Sequence, residues 1–180
     1  MAAEFLHEYV SRAEALEPRA LAVVRDLTPA QLTTRPPQGG WSIAEVFEHL
    51  CAVAEAYDPV IARALEQSRA RSGGPRPFRP TLLGNLLRKA LLESNRHPMP
   101  APKAWHQLAP RDRVVEQFLL RVRGTMARLR ELEGLDPRVM LTSPAAWFVR
   151  MNVAEALAIE VVHAERHLGQ AERVRATLAR

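Results

Sequence analysis

Six histidines are the residues of this sequence best suited to metal or acid–base chemistry, and two of them lie four residues apart. His163 and His167 fall within a segment of helical pattern, and side chains at positions i and i+4 of an α-helix project from the same face. Two imidazoles placed in this way can bind one metal ion. The contexts of His7, His97 and His106 are polar or loop-like, which predicts that these three are surface residues.

A third histidine, His49, belongs to an earlier helical segment and falls at the flank of its apolar stripe. With ~100° between successive residues, His49 lies about 100° from the centre of that stripe, and His163 and His167 lie roughly 80–120° from the centre of theirs. Groups at the flank of a core are partly desolvated and can still face an opening. The three imidazoles could therefore converge as three protein ligands with one open position, as a catalytic zinc-type site requires.

Spacing alone leaves other interpretations open. A His-x-x-x-His pair also arises by chance on surface helices, and a lone histidine such as His49 is often a hydrogen-bonded, half-buried residue. Cys51, the single cysteine, points about 200° around the helix from His49 and supplies no fourth ligand. Glu160 precedes His163 by one turn. It is either a hydrogen-bond acceptor or base beside the site, or a salt-bridging surface carboxylate, which is the interpretation that the sequence favours.

Four long amphipathic segments would position these residues. No segment shows sustained alternation of period two. Apolar residues recur with helical spacing over about 2–26, from Ser42 to Ile61, over about 111–133, and from Asn152 onward. Four such helices joined in part by long connections predict an all-α fold, a four-helix bundle. The length of 180 residues fits one domain over 1–180.

Local signals mark where several helices begin. Each places a capping residue three positions before a Glu or Gln, the pattern of a capping box. The pairs are Thr28 with Gln31, Ser42 with Glu45, and Asn152 with Glu155. Trp41 directly precedes the Ser42 cap, and we expect it to pack on Val46 as a hydrophobic staple.

Two irregular segments connect the helices. Half of the fourteen prolines lie between Pro75 and Pro110, which predicts a long, pre-ordered crossover over 72–110 rather than a domain boundary. Within it, Thr81 to Leu92 predicts a short amphipathic helix. A second connection, without predicted secondary structure, runs from Asp136 to Met151.

Composition limits the classes of function. The net charge is +5, but only Lys89 and Lys103 among the 25 basic residues are lysines, and the arginines are spread along the chain among acidic residues. This pattern favours a solvated arginine-rich surface over a nucleic-acid partner. No apolar run reaches the ~18 residues of a membrane span, and no signal peptide is visible. A single cysteine excludes a disulfide scaffold, so we expect a cytoplasmic protein with no membrane partner.

Three stretches of the chain carry short motifs of a known family. The first is Trp41 to Leu50 (WSIAEVFEHL), which is similar to the W-S-hydrophobic…H-L segment of the DinB/YfiT-like superfamily. The last is His163 to Gln170 (HAERHLGQ), which is similar to its closing H-x-x-[RW]-H-x-x-Q segment. Between them, Phe78-Arg79-Pro80, Leu83-Gly84 and 99–102 (MPAP) resemble its proline-rich crossover.

The resemblance implies a helical bundle with a divalent metal, zinc or nickel, on His49, His163 and His167. It also implies a homodimer and a small-molecule substrate. Some members are thiol-dependent transferases, which use a low-molecular-weight thiol such as bacillithiol, mycothiol or glutathione. This sequence keeps all three histidines.

Three classes of function follow as hypotheses. The first is a metal-dependent enzyme, a thiol-dependent S-transferase or a hydrolase, in which the ion polarises a carbonyl or lowers the pKa of a bound water or thiol. Arg79 or Arg166 could then hold an anionic substrate. The second is a non-catalytic metal- or ligand-binding bundle related to stress. The third is a basic, nucleic-acid-binding helical protein, whose binding would fall steeply with salt.

Overall fold

Helices dominate the computed structural model, which describes residues 2–71, 74, 76–93, 105 and 109–178. The helices are α1 (Ala2–Glu14), α2 (Leu16–Val24), α3 (Pro29–Thr33), α4 (Ile43–Ala70), α5 (Leu82–Glu93), α6 (Val114–Leu132) and α7 (Val153–Leu178). The strands β1 (Met140–Thr142) and β2 (Arg150–Asn152) lie between α6 and α7. The segments α1–α2, α4, α6 and α7 pack around one hydrophobic core, which confirms the predicted four-helix bundle.

The first and last helical segments of the bundle run parallel. Arg12 donates to Glu165 and Arg19 donates to Glu172, and the two residues of each pair are 153 positions apart. Arg175 also donates to the carbonyl of Ala22, again across 153 positions. Because the difference in residue number stays constant along the two packed segments, both segments advance in the same direction. The segments α1–α2 and α7 are therefore parallel.

The two middle helices are parallel as well, and they run opposite to the first pair. Cys51 contacts Val114, and Asp58 pairs with Arg121, each across 63 positions, so α4 and α6 advance together. By contrast, Arg123 pairs with Glu17 and Arg130 with Glu14, so the partner number falls as α6 advances, and α6 is antiparallel to α1–α2. The order is therefore up, down, down, up. Two consecutive parallel helices need a connection that returns the full length of the bundle, which explains the long proline-rich crossover.

The first helix breaks where the sequence predicted continuity over about 2–26. The structure ends α1 at Glu14 and starts α2 at Leu16. Pro18 explains the break, because it has no N–H to donate to the carbonyl of Glu14 and its ring crowds that carbonyl. Proline is tolerated within the first turn of a new helix, where its N–H would have no intrahelical partner.

Two other boundaries correct the sequence-based expectation. The structure starts α6 at Val114 rather than near Arg111, because Arg113 has a left-handed backbone, with φ of 56°, that a helix cannot contain. The connection from Asp136 to Met151 holds a β-hairpin instead of irregular chain only. Its antiparallel strands pair Leu141 with Met151. Strands of three residues are too short to produce a recognisable alternation of period two.

All three predicted capping boxes form. Ser42 Oγ accepts from the N–H of Glu45 while the Glu45 carboxylate accepts from the N–H of Ser42. Asn152 and Glu155 make the same reciprocal pair at the start of α7, and the third pair starts α3. Trp41 packs against the hydrophobic core that includes Val46, and its ring also contacts two histidines, as described below. These caps place the first turns of α4 and α7, from which the candidate site is built.

A buried carboxylate joins the crossover to α7. Glu155 is fully buried and accepts hydrogen bonds from the N–H of Thr81 at 2.7 Å and from its hydroxyl at 2.8 Å. Gly84 allows this approach, because a Cβ at this position would lie 2.7 Å from the Glu155 carboxyl carbon. The start of α5 is thereby held against the start of α7. Within the described residues, no helix is both long and apolar enough to cross a membrane.

Candidate metal centre

Three histidines converge between α4 and α7. One ligand nitrogen from each of His49, His163 and His167 can be chosen so that all lie within 4.8 Å of one another. Nε2 of His49 and Nε2 of His163 are 3.2 Å apart. Two histidines one turn apart on α7 thus lie against a third on α4, as the sequence predicted.

Hydrogen bonds fix the orientation of two of these rings. Nδ1 of His49 lies 3.1 Å from the carbonyl oxygen of Trp105, and because a carbonyl only accepts, Nδ1 carries the hydrogen. Nδ1 of His167 donates in the same way to Oε1 of Gln170 at 3.0 Å. Neutral His49 and His167 therefore each keep a lone pair on Nε2. Outer partners of this kind are typical of histidines that ligate metal ions.

Burial keeps the α7 histidines neutral. Desolvation is the main cause that lowers the pKa of His167 to about 3, and the neighbouring His49 adds to it. Desolvation likewise lowers the pKa of His163 well below its usual range, with contributions from His167 and His49. Neutral imidazole is the form that binds metal, so no proton has to be removed from an imidazolium near pH 7.

Trp41 forms one wall of the cluster. Its ring centroid lies 4.8 Å from that of His49 and 5.9 Å from that of His167, nearly parallel to the latter. His49 is 2% exposed, whereas His163 and His167 are half-buried. The cluster is thus covered on the Trp41 side and retains access to solvent on the α7 side.

The sequence of most of the chain matches a known family. The DinB superfamily matches residues 12–171. This chain belongs to the DinB superfamily. The fold is similar to that of a solved structure, YfiT from Bacillus subtilis, with a TM-score of 0.57 and 17% sequence identity. That protein is described as a probable metal-dependent hydrolase with an unusual four-helix bundle topology. The match covers 97% of this chain and 87% of that chain. No curated protein matches this sequence.

The structure distinguishes the two arginines considered as anion-binding groups in this DinB protein. Arg166 lies close enough to lower the pKa of both His163 and His167 through its charge. Its own pKa is lowered by burial and by the charge of Arg173. Arg79 is exposed, and its backbone carbonyl accepts from the Asn152 side chain. Arg166 is therefore the arginine placed beside the histidines.

The remaining residues with potential for chemistry lie elsewhere. Cys51 is buried, with Sγ 3.8 Å from the carbonyl of Val114 on α6, and burial is the main cause that raises the pKa of its thiol to about 11. It is neither a ligand at this centre nor a ready nucleophile. His7 is exposed, as expected. His97 and His106 lie outside the described residues, as does the 99–102 part of the crossover motif.

Glu160 is not the salt-bridging surface carboxylate that the sequence favoured. Its Oε2 accepts from the hydroxyl of Thr125 on α6 at 3.1 Å, and its buried Oε1 accepts no hydrogen bond from the described part of the chain. Desolvation is the main cause that raises its pKa to about 7. Glu160 and His163 line the same cavity inside the bundle.

Sequence reasoning missed three features of the centre. Neither the Trp105 carbonyl nor the Thr125 hydroxyl carries a motif of its own, and both act across long stretches of chain. Gln170 belongs to the closing family segment but was given no role. Its position three residues after His167 was the available signal, because residues i and i+3 of a helix are neighbours.

Proposed function

We propose that His49, His163 and His167 bind one divalent metal ion, zinc or nickel, and that this DinB protein is a metal-dependent enzyme of the hydrolase type. The convergence of three imidazoles from two helices is the observation that supports this proposal. Three protein ligands leave a position for water or substrate, which is typical of catalytic rather than structural zinc sites.

The donor set fits such an ion. Two nitrogens each bound at 2.0–2.1 Å in tetrahedral geometry lie about 3.3 Å apart, close to the 3.2 Å between Nε2 of His49 and Nε2 of His163. Imidazole nitrogen suits zinc and nickel among other transition metals. Because Nδ1 of His49 donates to Trp105 and Nδ1 of His167 donates to Gln170, the lone pair that could bind a metal ion is on Nε2 of each ring.

The surroundings support chemistry on a small, polar substrate. When bound, the ion would supply Lewis-acid activation of a carbonyl or a lowered pKa of a coordinated water or thiol. The Trp41 ring shields His49 and His167 from one side. Arg166 adds a positive charge beside the α7 histidines, which favours an anionic group on the substrate.

Thiol transfer is the other reaction that this centre could perform. Cys51 does not provide the thiol, because its Sγ is buried against Val114. A transferase would therefore take a low-molecular-weight thiol as cosubstrate, with the thiolate as the nucleophile. A non-catalytic, stress-related binding bundle would hold the same ion and turn over nothing.

One experiment separates these three possibilities. The chain is loaded with zinc or nickel and assayed against a panel of esters, amides and lactams, and separately against electrophiles with bacillithiol, mycothiol or glutathione. We expect metal-dependent hydrolysis without added thiol, absent from the variant with His49, His163 and His167 all changed to alanine. Turnover only with thiol would assign a transferase. A loaded protein that is inactive in every assay would favour the binding bundle and contradict the enzyme proposal.

Gln170→Leu tests the role of the outer hydrogen bond. Without Oε1 as acceptor, His167 loses the partner that fixes its ring and tautomer. Loss of such a partner typically costs 10–100-fold in metal affinity. We expect the zinc affinity to fall by about that factor in competition with a chelating dye. Gln67→Leu, at an exposed position on α4, is the matched control, and equal affinities in the two variants would contradict the assignment.

We further propose a homodimer, as the family resemblance implies. Large apolar side chains are exposed on α5, at Leu82 and Leu86, and on the hairpin, at Trp147 and Phe148. Because α5 packs against β2, these two elements belong to one region of the molecule. They are candidates for the contact between subunits.

A further inference from the structure

The arginines whose charges act on Glu160, Arg128 and Arg121, form their salt bridges with Asp58 and Glu55. Three carboxylates of α4 are matched by arginines: Glu48 by Arg111, Glu55 by Arg111 and Arg121, and Asp58 by Arg121 and Arg128. That network of three acids and three bases is neutral. Glu160 is an additional acid, and the hydrogen bond that it accepts within the described residues comes from the neutral Thr125 hydroxyl.

Glu160, whose Oε1 accepts no hydrogen bond from the described residues, lines a cavity of about 40 Å³. Most of its lining is apolar, including Leu50, Phe118 and Val122, and its polar lining residues are Arg121, Thr125, Glu160 and His163. A water-sized group needs roughly 10–15 Å³ of such volume, so the cavity has room for about three or four non-hydrogen atoms. A buried acceptor without a donor destabilises the fold, and an occupant that donates an N–H group to it would relieve that cost.

We propose that this cavity binds a short primary alkylammonium group, with its N–H donors on Glu160 and its carbon chain along the apolar wall toward His163. The ammonium supplies a donor to a carboxylate whose Oε1 accepts no hydrogen bond from the described residues, and a positive charge in addition to those of the neutral network. Two or three carbons fill the remaining length. The identification of this occupant as part of a substrate rests on the proposed function. Its binding to the cavity does not depend on that function.

Binding should depend on the protonation of Glu160. The charged or polar groups that face it are Asp58 on α4, Arg121, Thr125 and Arg128 on α6, and His163 on its own helix. With the Glu160 pKa at about 7, the carboxylate is mostly protonated at pH 6 and mostly ionised at pH 8. Affinity for an ammonium ion should therefore rise about tenfold between these two pH values.

Titration of the full chain with propylammonium tests the proposal, on the protein as purified and after chelation. We expect saturable binding by calorimetry in both, at least about tenfold weaker in Glu160→Gln and unchanged in Glu66→Gln, a control at an exposed glutamate of α4. Neutral 1-propanol should bind at least about tenfold more weakly than propylammonium. In ¹³C NMR spectra, the carboxyl signal that Glu160→Gln lacks is assigned to Glu160. This signal should shift when propylammonium is added to the unmodified chain.

The carboxyl signal keeps the test valid if Glu160→Gln fails to fold. No saturable binding, equal binding by Glu160→Gln, equal binding of 1-propanol, or an unmoved Glu160 signal would each overturn the proposal and indicate a cavity that holds water. Because binding is measured with and without metal, such a failure is distinct from a failure of the metal centre to load or to turn over substrate.

Discussion

His163→Ala should lower the affinity for zinc or nickel by more than about 100-fold, because a lost ligand costs more than the 10–100-fold expected for a lost outer partner. His163 is the central test, since its Nε2 is 3.2 Å from Nε2 of His49 and its ring also packs on His167. Metal content after dialysis against a competing chelator, measured by mass spectrometry, reports the loss.

The control for this variant is His7→Ala, which removes an exposed imidazole on α1. It should retain about one ion per chain. Circular dichroism of both variants should match that of the unmodified chain, because truncating the half-buried His163 leaves the apolar core of the bundle intact. Full metal retention by His163→Ala would contradict the three-histidine centre directly.

Metal-free protein should lose stability as the pH falls from about 6.3 to 5. In the folded chain the pKa values of His163 and His167 lie well below the ordinary 6.5. As the pH falls below 6.5, these two histidines therefore bind protons in the unfolded chain but not in the folded chain. Glu160 acts in the opposite sense, because its folded pKa of about 7 makes the folded chain hold a proton that the unfolded chain releases. For these three groups together, the net difference approaches one proton at the lower end of this range, or about 1.4 kcal/mol of unfolding free energy per pH unit.

Two substitutions separate these opposing contributions. Glu160→Gln removes the compensating proton, so its slope should be steeper than that of the unmodified chain by about 1.4 kcal/mol per pH unit. His163→Ala removes one of the two protons that only the unfolded chain binds, so its slope should be shallower by about the same amount. Urea unfolding of chelated protein at several pH values gives the slopes. A slope that neither substitution changes would show that the buried groups do not titrate as inferred.

Much of the fold follows from local patterns in the sequence. The capping boxes at Ser42 and Asn152 depend on residues three positions apart, and such contacts can be predicted without knowledge of the tertiary structure. The i, i+4 spacing of His163 and His167 predicted that their rings share one face of α7, and their ring centroids lie 4.5 Å apart. The break at Pro18 was also local and could have been predicted.

The features that sequence reasoning missed are set by distant contacts. Burial of Glu160 depends on α6, which brings Thr125 against it from 35 positions away. The parallel order of the helices appears only in ion pairs such as Arg12 with Glu165. Individually, these charges resemble the solvated arginines and glutamates of any surface, so composition could not show how they pair.

The parallel arrangement of the first and last helical segments has a consequence for how the chain folds. The pairs that join α1–α2 to α7 close loops of 153 residues, and the entropic cost of closing a loop rises with its length. Helical bundles usually fold rapidly because their contacts are local. Here α1–α2 reaches its α7 partner only after nearly the whole chain has emerged during synthesis. Assembly of this bundle should therefore be slow for an all-helical protein. The contacts between α1–α2 and α7 should be among the last to form.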